Sequence, residues 1–247
     1  MKAILMLLFF WTGVLYSQNI KVIYMNKNSK FTTFQEDLFI TKNNIVSIRD
    51  SITINTFDEK NSMNNNQAIF FTKDKLYKIF YYKNNPNKTI IKDYIGDTIY
   101  FVEDDIPVIK WSTNYNETKN IAGFLCNKAT AEFRGSKITA FYTKDLKYNT
   151  GPFKFYGLDG LILEISENEN LEYNSWVAIK VDTNYKNDYK IPEIKESIKI
   201  KLRDFLEIKE KKKEEDFDKI VSKAPAGTII TRHKIKRNEI EKIYEWE

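Results

Sequence analysis

The chain has 247 residues, of which 42% are hydrophobic, 30% charged and 15% aromatic, with only 8 Gly and 5 Pro. That is ordinary globular composition; it disfavours collagen-like, linker-rich and disordered chains and gives enough length for one sizeable core. The 39 basic and 34 acidic residues leave a formal charge of +5 and are interleaved rather than gathered into a stripe, so nucleic-acid binding has no support.

Met1 to Ser17 carries one positive charge, an apolar run and a small residue before Gln18, the anatomy of a cleaved secretory signal. The run falls short of the ~20 residues that a spanning helix needs. Loss of Lys2 with the signal leaves 38 basic against 34 acidic residues, a formal charge of +4. No Cys stands at the cleavage point, and no later stretch is apolar for long enough to form a transmembrane helix. Residues 18–247 are therefore expected to form a single exported domain. Cys126 has no intrachain partner; it reads as a small buried hydrophobe, with a reactive or intermolecular thiol as the alternative.

From Asn19 to Val181 the dominant period is two, in segments rich in Ile, Val, Phe, Tyr and Thr, which predicts strands. Val46, Ile48, Ile52 and Ile54 alternate with Ser47, Arg49, Ser51 and Thr53, a strand with one buried and one wet face. Residues 67–72, 76–82, 98–102 and 108–112 are further strands, with 83–88 a polar connection. In Phe133-Arg134-Gly135-Ser136-Lys137-Ile138 a Gly-Ser turn suits a hairpin, pairing Phe133 with Ile138 and Ala131 with Ala140 at the cost of like charges, Arg134 and Lys137, beside the turn. A tight turn at Gly157–Gly160 leads into an apolar strand through Ile165, and Trp176 to Val181 can return beside it. Beyond Pro192, the spacing of Ile194, Ile198, Leu202, Phe205 and Ile208 predicts an amphipathic helix against the sheet, continued by mixed charge to Lys219. No period assigns a fold to the residues after Ala224. The architecture expected is mainly β: a curved antiparallel sheet or half-barrel with a C-terminal amphipathic helix.

Gly157-Leu158-Asp159-Gly160-Leu161-Ile162 resembles the signature of the GLPGLI family, exported proteins of the Bacteroidetes. Trp111, the block from Thr118 to Ala129, Ala140-Phe141-Tyr142-Thr143 and Gly151-Pro152-Phe153-Lys154-Phe155 resemble further blocks of that family, in the same order. Asp159 stands for the signature Pro and Phe141 for the usual Trp. Asp-Gly is itself a competent turn pair, so the hexapeptide reads as architectural. The resemblance implies an address in the periplasm or at the outer membrane, but no reaction. The strand order is also similar to the half-barrels of envelope lipoprotein carriers, a likeness of fold without a motif.

The sequence offers no constellation of nucleophile, base, paired carboxylates or metal ligands, so no catalytic residue, metal or cofactor is assigned and the protein is read as non-enzymatic. The single His233 lies between Arg232 and Lys234 in a polar stretch; Asp104-Asp105 and Glu214-Glu215-Asp216 lack the regularity of a calcium loop and read as solvated charge. Trp111, Phe124, Phe141, Tyr142 and Trp176 are the candidates to line a groove for a hydrophobic ligand. A hydrophobic ligand or an outer-membrane transport component is the expected partner, and the alternative is an adaptor that docks by its sheet edge or its helix. A concave face left open favours the ligand, and a filled one favours docking.

Overall fold

The computed structural model describes residues 19–29, 32–42, 44–54, 69–71, 77–82, 85–168, 174–187, 189, 198–225, 227–228, 230, 237 and 239–247. The signal segment and His233 lie outside them. In chain order the strands are β1 (Asn19–Ser29), β2 (Thr32–Ile40), β3 (Asn44–Ile54), β4 (Ile69–Phe71), β5 (Tyr77–Tyr82), β6 (Asn85–Ile95), β7 (Thr98–Asp105), β8 (Thr118–Ile121), β9 (Phe124–Phe133), β10 (Ser136–Thr143), β11 (Leu161–Glu167), β12 (Ser175–Tyr185) and β13 (Ile198–Lys201), and the helix is α1 (Leu202–Ser222). They join in one sheet of order β13-β7-β6-β5-β3-β2-β1-β12-β11-β10-β9-β8, with β4 also on β3. Every pairing is antiparallel except β13 with β7. The fold is mainly β, a curled sheet whose two edges, β13 and β8, do not pair with each other among the described residues.

Alternation places Ile20, Val22 and Tyr24 of β1, Glu36, Leu38 and Ile40 of β2, and Trp176 and Ala178 of β12 on the concave face, where all are buried. Of the 17 residues between β10 and β11, 144–149 are mostly exposed, and 150–156 turn inward and cross this face: Phe155 is wholly buried between Phe133 of β9 and Trp176 of β12, and the Phe153 amide reaches Glu36 of β2 at 2.8 Å. Gly151, Pro152, Lys154 and Tyr156 are buried along the way. The core is therefore the sheet's concave surface packed on the chain's own 144–160 segment. Its apolar burial is the main stabilising term, at about 25 cal/mol per Å².

Several expectations change against this architecture. Ser47 of β3 is fully buried, so that strand has no wet face here: Val46 and Ile48 pack with Phe39 on the convex side while Ser47 donates to Glu36 on the other. Residues 108–112 make only an isolated bridge from Ser112 to Thr130, because Ile106 and Ile109 are drawn into the core. β6 occupies what reads as a polar connection and the residues beyond it. The hairpin turns on Arg134-Gly135, not Gly-Ser; both residues have positive φ (44° and 80°), and Phe133 pairs with Ser136. Lys137 then lies opposite Glu132, which removes the like-charge contact. Ile198 belongs to β13 rather than the helix. α1 begins at Leu202 and buries only Leu202 and Phe205, while Ile208 and Ile220 are exposed.

The signature hexapeptide closes this arrangement. Leu158, Leu161 and Ile162 are buried and Asp159 faces water. A Cβ on Gly160 would lie 2.1 Å from the carbonyl oxygen of Thr143, so the backbone at the end of β10 leaves no room for any side chain. Gly160→Ala should destabilise the fold by about 3 kcal/mol or more, as overpacking against rigid backbone does. Urea unfolding checks this; an unchanged midpoint would show that the close approach is dispensable.

Candidate functional site

The predicted aromatics do not line one groove. Trp176 is buried, donates from Nε1 to Glu36 at 2.8 Å, and stacks on Phe153 with centroids 5.5 Å apart. Tyr142 is buried near Gly160. Trp111 is half-buried and donates to the Tyr156 carbonyl at 2.8 Å, tying the chain after β7 to the crossing segment. Phe141 sits on the opposite face of β10 from Ala140 and Tyr142, beneath Lys119, whose Nζ is 5.5 Å from its ring centroid. Phe124, half-buried, packs at the tip of the β8–β9 hairpin opposite Ile121. Cys126 is buried, and its thiol is pushed up to about 11, by burial first and then by the Glu164 and Asp145 charges, so it stays protonated and unreactive at neutral pH.

The charged chemistry lies elsewhere, at a buried cluster that the sequence does not announce. Arg134, at the tip of the β9–β10 hairpin, forks onto Asp104 of β7 with Nη1 and Nη2 at 2.9 and 2.8 Å. Its Nε reaches Glu245 at 3.0 Å, and Nη1 also bonds Glu241. Lys154, from the crossing segment, lies 2.7 Å from Asp104 and 2.8 Å from Glu241. The Arg134, Lys154 and Asp104 side chains are at most 2% exposed. Two cations thus meet three carboxylates contributed by β7 and by the 240–247 segment. Asp104, read from sequence as solvated charge, is instead the centre of the cluster.

The cluster polarises its members in opposite senses. Burial alone would raise the Asp104 carboxyl from 3.8, but the Lys154 ammonium and the Arg134 guanidinium outweigh it and hold the group at about 2. For Arg134 burial works against the charge, and Asp104 and Glu241 together raise its pKa above the ordinary range. Tyr244, beside them, is raised by burial and then by Glu241. A second polar centre lies on β2: Glu36, wholly buried, accepts from Asn26 Nδ2, Ser47 Oγ, the Phe153 amide and Trp176 Nε1. Tyr24 donates nearby to the Ile162 carbonyl at 2.7 Å, and burial, then Glu36, raises its phenol. Both centres anchor the 144–160 segment, one through the Phe153 backbone and the other through Lys154.

Residues 98–210, from β7 into α1, match the family described as N-glycanase peptide, N-terminal domain. Among solved structures, two of PNGF-II, in space groups P21 and C2, resemble the chain at 16% identity, with TM-scores of 0.53 and 0.50. The likeness covers 79% of this chain but 34% and 33% of those, so the chain spans about a third of the length of the structures it matches. At that identity the likeness is one of fold. No curated protein matches the sequence. The matched stretch contains Asp104, Arg134 and Lys154 but not Glu241 or Glu245.

Asp104 holds its proton less tightly folded than unfolded. Its contribution to stability is therefore complete above its unfolded pKa near 4 and is lost as the pH falls from there through about 2. A shift of this size corresponds to about 2 kcal/mol. In denaturant titrations at pH 7 and pH 2, Asp104→Asn should lose about 2 kcal/mol less between the two than the parent chain. Equal losses would mean that Asp104 carries none of the acid sensitivity.

Proposed function

We propose that the chain is an exported, non-enzymatic protein of the cell envelope, of the GLPGLI type, that acts by docking a protein partner on its outer surface. The observation that carries this reading is the filled concave face. A hydrophobic ligand bound there would have to displace Phe153 and Phe155 from Trp176 and expose Lys154 and Glu36, whose partners are all internal contacts of the fold. Ligand sites keep apolar surface accessible in a preformed cleft; this fold packs that surface against its own segment.

What remains outside suits docking. α1 has 21 residues, about 31 Å at 1.5 Å per residue, and only its first turn is buried on the sheet. Leu125 and Ile179 are exposed on the strands. The absence of catalysis from this reading rests on the state of the charged groups. Asp104 is kept ionised by Arg134 and Lys154 out of contact with water, whereas a general acid or base needs access to a substrate proton. The family match to an N-glycanase N-terminal domain, and a structural likeness that covers 34% of the PNGF-II chain, support a module that works beside other protein.

Native mass spectrometry of the mature protein purified from its own envelope tests the reading. A mass without adduct, together with a defined protein crosslink, is the expected result. A stoichiometric lipid-like adduct that is lost on Trp176→Ala would overturn docking in favour of a ligand carrier.

A further inference from the structure

We infer that the edge strand β8 pairs with β8 of a second copy of this chain, antiparallel about a two-fold axis at Thr118, so that two sheets join into one. The inference goes beyond the docking reading above and does not depend on it. β8 ends the sheet, and among the described residues no strand lies on its far side. Glu117, Thr118, Lys119 and Asn120 are all exposed. Hydrogen-bond parity shows which backbone groups face outward. The Lys128 amide donates to the Glu117 carbonyl at 3.1 Å, and the two-residue turn at Ala122-Gly123, with φ of 50° and 89°, closes Ile121 onto Phe124. Glu117, Lys119 and Ile121 therefore direct their backbone bonds to β9, whereas alternation turns the N–H and C=O groups of Thr118 and Asn120 to the open side.

Charge complementarity selects the occupant and the register. A lysine on an edge strand ordinarily opposes strand addition. Here Lys119 follows Glu117 by two residues, so both side chains lie on one face of the strand. A two-fold axis at Thr118 places each Glu117 opposite Lys119 of the other copy. An axis at Lys119 would set ammonium against ammonium, and one at Glu117 carboxylate against carboxylate, both unfavourable. An axis at Asn120 would set Lys119 against Ile121, which is already buried in the core. The internal partners of these groups extend the pattern. Glu117 meets Lys128 at 2.6 Å and Lys119 meets Glu164 at 2.6 Å, while the Glu117 and Lys119 side chains remain 56% and 49% exposed. Across the junction the order becomes Lys128, Glu117, Lys119, Glu164, alternating in sign and leaving no net charge. A strand this short makes a small interface, below about 1,200 Å², so the dimer is weak and concentration-dependent.

Sedimentation velocity of the full chain, followed as its concentration rises, tests the pairing. The parent chain should shift from monomer toward dimer. Glu117→Lys and Lys119→Glu, each of which sets like charges opposite one another, should each weaken self-association at least about tenfold. Mixed in equal amounts, the two variants should associate with each other within about threefold of the parent's affinity for itself, because both junctions regain opposite charges. Thr118→Pro removes an outward amide that the sheet does not use, and should abolish the dimer. Hydrogen exchange at the Thr118 and Asn120 amides should slow with rising concentration, while that at the Lys119 amide should not change. A parent chain that stays monomeric at every concentration overturns the inference, as does a dimer indifferent to the charge variants. Either result leaves the docking of another protein standing.

Discussion

A guanidinium taken out of water must regain in hydrogen bonds what it loses in hydration, a penalty of several kcal/mol before compensation. Arg134 regains it from carboxylates that belong to distant parts of the chain. Asp104 lies on β7, beside one edge of the sheet, and Arg134 at the hairpin of β9 and β10, near the other. The pair can form only if the sheet curls until those ends face each other. Lys154 and Glu241 then bring the crossing segment and the 240–247 segment to the same point. Curl and interior filling thus share one electrostatic condition, and removal of any one member takes a partner from the buried charges around it.

Glu36 does for the middle of the sheet what Asp104 does near its edge. It gathers donors from β1, β3, β12 and the crossing segment, and so fixes Phe153 and Trp176 in their stack. Between these two polar anchors the segment contributes its aromatic rings to the concave face. The physical consequence is that the apolar surface of β1, β2 and β12 on this face is already packed against the chain's own segment.

Much of the framework is legible in the sequence because one buried face imposes a period of two. β11 and its return strand β12 are read in this way, as is the existence of the β9–β10 hairpin. Its register is not. The expected and observed pairings both turn Ala131, Phe133, Ile138 and Ala140 toward the core, so the apolar pattern cannot separate them. The like charges of Arg134 and Lys137 were the available signal: they argue against the Gly-Ser turn and toward a turn in which Arg134 leaves the strand. β6 escapes detection because Ile90 and Ile91 supply apolar side chains to both faces and blur the alternation. Ile198 fits a helical spacing and a strand equally well; its parallel pairing with β7 decides the matter.

The charged sites are the least legible part. Asp104 sits in an Asp-Asp pair that reads as solvated, and Lys154 in a block where only its neighbours look structural. Glu241 and Glu245 lie in a stretch without a period. Only Glu36 leaves a trace, as an acid at an inward position between Phe34 and Leu38. The most direct test is a double-mutant cycle on Arg134→Met and Asp104→Leu, read by denaturant unfolding at neutral pH. If this pair joins the two ends of the sheet, the coupling should be about 2 kcal/mol or more, with the double variant more stable than the singles predict. Additivity within about 0.5 kcal/mol would show that the sheet curls without it.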